Sequence, residues 1–172
     1  MKRIALLIFV ILGLSNCKKD DFNDNLEYYI RFIANDQKYE LSYVTCQYFY
    51  DTLFNTIYDE THIYGVKSRD TEKEGDSSVV DYEIPEVFII TPSNSIGSWT
   101  QADSLRYFIR LEDDYFYGNS IDFNDESIFE VSILEYGDKG EYCIGNFSGI
   151  IKSEGREDLR VKEGTFKIKV GI

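Results

Sequence analysis

Thr165-Phe166-Lys167-Ile168-Lys169-Val170 sets apolar side chains at 166, 168 and 170 against lysines at 167 and 169. A period of two puts the three apolar residues on one face of an extended chain and the lysines on the other, the pattern of a strand with one dry and one wet face. Phe166 is therefore expected inside, with Lys167 and Lys169 in water. The same alternation runs through Phe129, Val131 and Ile133 against Glu130 and Ser132, and through Tyr107, Ile109 and Leu111 against Phe108 and Arg110. Near the start, Tyr28, Ile30, Phe32 and Ala34 line one face of a first strand, and Asn35-Asp36-Gln37 supplies a turn into residues 38–41. Strands with one solvated face belong to antiparallel sheets.

Further strands are expected at 43–50, 61–68, 86–91 and 142–152, and no stretch of ten residues after the N-terminal segment carries a helical period. About eight strands at even spacing predict an all-β fold, an antiparallel β-sandwich or flattened β-barrel, with a lipocalin- or calycin-like barrel as the alternative. Residues 69–78 are charged and polar and are expected to form an exposed loop, as is the segment 91–104 with Pro92, Gly97 and the sole tryptophan, Trp99. Leu159 and Val161 stand at odd positions, whereas Phe166, Ile168 and Val170 stand at even ones. The buried face must change parity between them, which predicts a bulge or tight turn at Glu163-Gly164 with Gly164 free to take positive φ.

The N-terminus has a different grammar. Lys2 and Arg3 precede an apolar run of eleven residues, Ile4 to Leu14, and then Ser15, Asn16 and Cys17. A membrane-spanning helix needs about twenty apolar residues, so this run is too short to span and has the plan of a cleaved secretory signal. Residues 1–16 are expected to be that signal, 17–25 a flexible acidic tether and 26–172 a single all-β domain. Cleavage before Cys17 takes 16 residues from 172 and leaves 156, the size of one domain with one core. The formal charge of −13 falls to −15 once Lys2 and Arg3 are lost. Such a surface is expected to repel nucleic acid phosphates and anionic lipid head groups, and no nucleic acid partner is predicted. A hydrophobic content of 43% with 16% aromatic residues excludes disorder.

Leu14-Ser15-Asn16-Cys17 resembles the lipobox of bacterial lipoproteins, which implies that Cys17 carries a diacylglyceryl group and that the protein meets the membrane through this anchor. A protein whose cysteine merely follows a secretory signal is the simpler alternative. Lys18-Lys19-Asp20-Asp21 looks like the lysine-then-acid export signal of Bacteroidota lipoproteins, which implies passage through the outer membrane to the cell surface. Gly145-Asn146-Phe147-Ser148-Gly149, followed by Val161, Gly164, Phe166, Ile168 and Val170, is similar to the closing strands of small Bacteroidota surface lipoproteins. Tyr29-Ile30-Arg31-Phe32 resembles their opening strand. The resemblance touches both ends of the chain and implies an all-β fold at the surface; it implies no activity.

Residues that could carry chemistry are few. His62 is the only histidine and alternates within Thr61-His62-Ile63-Tyr64 as a strand residue would, so no catalytic residue is predicted. Cys46 and Cys143 are the only cysteines besides Cys17, and in an oxidising compartment both a disulfide and two buried thiols fit. No metal site or cofactor is predicted: His62, Cys46 and Cys143 lack metal-ligand spacing, and Glu112, Asp113, Asp114, Asp122, Asp125 and Glu126 lack the EF-hand pattern. The surplus lies in 14 Tyr and 12 Phe. Trp99, Tyr115 and Tyr117, with Asp113 and Asp114 beside them, are the candidate binding surface, with 115 and 117 expected outward and Phe116 inward. The expected function is a non-enzymatic binding or accessory module for a glycan, a peptide or an outer-membrane protein partner. A lipocalin-like carrier of a small apolar ligand stands second and a carboxylate-dependent hydrolase third.

Overall fold

The computed structural model describes residues 22, 25–53, 56–67, 84–112, 115–118, 127–153 and 155–171; side chains at 51–53, 56–58 and 115 are not among what it describes. The expected lipidation residue Cys17 and export residues Lys18, Lys19, Asp20 and Asp21 lie outside the described residues, as do Asp113 and Asp114.

Among the described residues eleven strands run in the order β1 (Tyr29–Ala34), β2 (Gln37–Leu41), β3 (Tyr43–Leu53), β4 (Thr56–Val66), β5 (Glu86–Thr91), β6 (Gly97–Thr100), β7 (Arg106–Glu112), β8 (Tyr115–Gly118), β9 (Ile128–Tyr136), β10 (Tyr142–Ile151) and β11 (Leu159–Lys169). They form two antiparallel sheets, one of six strands ordered β2-β1-β11-β10-β9-β6 and one of five ordered β3-β4-β5-β7-β8. The fold is thus an antiparallel β-sandwich. Ser42 alone separates β2 from β3, so the chain passes from one sheet to the other there, and Cys46 of β3 bridges Val170 just beyond β11.

Alternation decides what lies between the sheets. Ile30, Phe32, Phe129, Val131, Ile133, Phe147, Phe166 and Ile168 of the first sheet meet Ile63, Val87, Ile89, Tyr107 and Ile109 of the second in one buried core. Phe166 is 1% exposed while Lys169 is exposed and Lys167 half-buried, as the alternation at 165–170 requires. Glycines let the layers close: a Cβ on Gly145 would lie 2.3 Å from Phe166 Cζ, so the ring rests in the space that glycine leaves.

The predicted bulge is present, with a different residue bearing the strain. Phe147 pairs with Gly164 and Gly149 with Val161, so β11 carries one extra residue there. Glu163 takes the left-handed conformation, φ +51°, and Gly164 does not. Gly164 is needed for contact instead, since its Cβ would come 2.3 Å from the Phe147 carbonyl oxygen. The segment 91–104, expected to be an exposed loop, contains β6 and a 3-10 turn, Gln101–Asp103. Ser98 and Ser132 hydroxyls hydrogen-bond across β6 and β9 at 2.6 Å, and Trp99 opposite Val131 packs against the core. Trp99 is therefore a half-buried edge of the core and no exposed platform.

Candidate functional site

The outward positions of the five-stranded sheet follow from its register. Phe49 lies opposite Glu60; His62 lies between Gln47 and Ile90; Phe88 lies between Tyr64 and Phe108; and Phe116 lies opposite Arg110. Cys46, Ile63, Ile89 and Tyr107 face the core, so these alternating neighbours face away from it. The result is a run of rings in contact from one edge strand to the other. Phe49 and His62 have centroids 4.3 Å apart, His62 and Phe88 5.5 Å, Phe88 and Phe108 5.3 Å, and Phe108 and Phe116 5.6 Å. Tyr64 joins from the side, 6.2 Å from Phe88. Tilted and edge-on contacts at these separations suit the ring quadrupoles, which is why the rings lean on one another.

Charged groups frame the run. Glu60 accepts a hydrogen bond from Arg106 and lies 3.2 Å from His62 Nε2, while Arg110 pairs with Glu86 at 2.8 Å and sets its guanidinium 5.3 Å from the Phe116 centroid. The ends of the run are the open part: Phe49 is 44% exposed and Phe116 54%. His62 is thus a strand residue whose ring continues an aromatic file. Among the described residues no group of three or more His, Cys, Asp or Glu side chains is placed to hold a metal ion.

Part of the expected binding surface falls elsewhere. Phe116 points outward and Tyr117, opposite Ile109, packs against the core, the reverse of the predicted parity. The phase follows from the register of β8 on β7, in which Tyr117 lies opposite the buried Ile109 and Phe116 opposite the outward Arg110, and the register shift between Arg110 and Glu112 lies beyond both. The side chain of Tyr115 lies outside the described residues. Tyr117 lines a cleft of about 620 Å³ at one end of the sandwich together with Tyr39, Leu111, Glu112, Lys38 and Lys67. Burial pushes the Tyr39 phenol up, aided by the negative charge of Glu112 and by Tyr117. The carboxylate of Glu112 accepts a hydrogen bond from Arg156 at 2.8 Å.

Cys46 and Cys143 do meet. Both are fully buried free thiols, one on each sheet. Their mutual hydrogen bond and then burial hold the Cys143 thiol well above its ordinary range. The Tyr136 hydroxyl shares this pocket, and burial pushes it up to about 12.

The aromatic file escaped the sequence because its members come from five strands and touch only after pairing. A local signal exists: the outward positions of β7 read Arg106, Phe108, Arg110, an aromatic at a wet parity between two cations. Compared with protein-family models, curated proteins and solved structures, the chain matches none of them.

Proposed function

We propose that the protein is a lipid-anchored lipoprotein of the outer-membrane surface and acts as a non-enzymatic binding module, taking an oligosaccharide along the outer aromatic face of β3-β4-β5-β7-β8. The observation that carries this is the unbroken run Phe49, His62, Phe88, Phe108, Phe116 across all five strands. Four strand spacings of about 4.8 Å give it a length of roughly 19 Å, enough for several sugar rings in line. Sugars present apolar C–H faces to aromatic rings and hydroxyls to the carboxylates and guanidinium groups alongside, here Glu60, Arg106, Glu86 and Arg110. The anchor at Cys17 and export through Lys18 to Asp21 rest on the N-terminal motif. Among the described residues, Phe32, Phe129, Phe147 and Phe166 fill the space between the sheets, which speaks against an apolar ligand carried there.

Calorimetry of the wild type and of Phe49→Ala/Phe116→Ala against neutral oligosaccharides and peptides tests the site. An exposed aromatic that acts as a hot spot contributes about 2 kcal/mol, so each loss should weaken binding about 30-fold. Unaltered affinity in a folded double variant refutes the site. A preference for peptides over oligosaccharides refutes the ligand class. Turnover of an oligosaccharide that disappears on changing one carboxylate would make the protein a hydrolase.

A further inference from the structure

The three central strands of the opposite face of the sandwich carry a charge opposite to that of the protein as a whole. The outward positions of the three adjacent strands β1, β11 and β10 carry Arg31, Arg160, Lys162, Lys167 and Lys169, and their one acid is Glu163 in the bulge. Five of the 18 Lys and Arg residues thus stand together on a chain of net charge −13. The overall charge implies a surface that repels anionic head groups; on these central strands the distribution runs the other way. Lys167 lies over the Tyr142 ring at 4.5 Å, Arg31 pairs with Glu40 on the adjoining β2, and Lys162 pairs with Asp36 at 3.3 Å. On the neighbouring β9 the apolar Ile128 and Leu134, 75% and 56% exposed, share the face with Glu130 and Glu135 at its margin. Cations among exposed aliphatic groups suit the boundary between head groups and acyl chains.

The chain leading to the N-terminus meets the molecule on this same face. Phe22, expected in a flexible tether, is half-buried with its ring 5.6 Å from the Arg31 guanidinium and 5.3 Å from the Lys38 ammonium. Phe22 stands five positions after Cys17, a reach of at most about 18 Å. We propose that the outer face of the six-stranded sheet docks on anionic lipid head groups, so that the domain lies with this face on the bilayer and the aromatic face turned away from it. The orientation rests on the lipid anchor at Cys17; the affinity of the face for anionic lipid does not.

The test uses the full chain with Cys17→Ala, which removes any acyl anchor, and vesicles of phosphatidylcholine with or without phosphatidylglycerol. Insertion of the apolar residues 4–14 would be common to both vesicle types, so their ratio isolates charge. Sedimentation should show a clear preference for the anionic vesicles that high salt abolishes. Each basic residue near an anionic surface is worth about fivefold in affinity, so Lys162→Gln/Lys167→Gln/Lys169→Gln should lower binding about a hundredfold. Lys67→Gln/Lys139→Gln/Lys152→Gln, with the same net charge, should bind as the parent does. No preference for anionic vesicles, or equal loss in the two triple variants, overturns the proposal. Acylation is read separately from the mass of the Cys17 peptide. If that peptide is acylated, Lys162, Lys167 and Lys169 of the wild type on anionic vesicles should react with an amine reagent more slowly than Lys139; equal rates overturn the orientation.

Discussion

Phe166 and Gly145 form a lock whose two halves can be measured separately. Phe166 sits between the sheets at 1% exposure, with Cζ 2.3 Å and Cε1 2.8 Å from where a Gly145 Cβ would stand. A buried phenylalanine hides about 200 Å², and at about 25 cal/mol per Å² the upper bound for the whole side chain is about 5 kcal/mol. Alanine keeps one carbon and leaves a hole, so Phe166→Ala should cost about 3 to 5 kcal/mol. Gly145→Ala adds a carbon that meets the ring and also the Ser132 carbonyl oxygen at 2.2 Å, for a cost of about 1 to 3 kcal/mol. In the double variant the ring is gone, which removes one of the two clashes and part of the hole. The double variant should therefore be at least about 1 kcal/mol more stable than the sum of the single costs predicts. Urea unfolding of the four proteins at constant slope is the assay. Additivity within about 0.5 kcal/mol would refute the packing described for these two residues. Lys167→Ala, which loses one half-buried cation–ring contact, should cost no more than about 1 kcal/mol.

The bulge and the thiol pocket supply the remaining expectations. Glu163→Gly should leave stability unchanged or raised, because glycine takes positive φ without a Cβ penalty, whereas Gly164→Ala should destabilise through contact with the Phe147 carbonyl; thermal melts that rank them the other way would refute the division of labour at the bulge. Cys143 and Tyr136 are held protonated in the fold with raised pKa values, Tyr136 at about 12. The unfolded chain ionises near pH 8.5 and 10 at these groups, so their contribution is complete below about pH 8.5 and is lost as pH rises above it. Melting temperature should fall across that alkaline range, less steeply in Cys143→Ala, and a flat profile would count against the buried pocket. Neither Cys46 nor Cys143 should take up an alkylating reagent until the protein unfolds.

Where polar and apolar residues alternate, the chain announces both strand and phase. Residues 165–170, 129–133 and 107–111 are of this kind, and each occupies the face its pattern requires. Tyr115-Phe116-Tyr117 offers no such contrast, because three aromatics in a row fit either phase. The orientation of Phe116 and Tyr117 is settled by their register on Arg110 and Ile109 of the partner strand, which no local pattern shows. Trp99 was hidden for a related reason: Ser98 and Thr100 make its segment polar at every other place, and Pro92 and Gly97 give it the look of a turn. Only pairing with β9 makes it a strand. Charge is the same kind of lesson at larger scale, since a total of −13 says nothing about five cations gathered on three strands. The aromatic file is a property of register, and register is written in no single segment.

Because β1 and β11 are neighbours, with Ile30 opposite Phe166, the order of synthesis and the order of assembly conflict. The middle of the six-stranded sheet is made from the first and the last strands of the chain. Until residues 159–169 have been delivered, β1 and β10 have no partner on their facing edges, and the core lacks Phe166 and Ile168. Closing so distant a pairing is entropically costly and slow, so the chain stays open until its C-terminus is available. If the chain is exported as proposed above, that delay would keep it threadable, since a sheet that closed early would jam. The same geometry makes the C-terminal strand the least dispensable part of the domain: a chain ending before Leu159 would present two raw strand edges to its neighbours, and aggregation would be its fate.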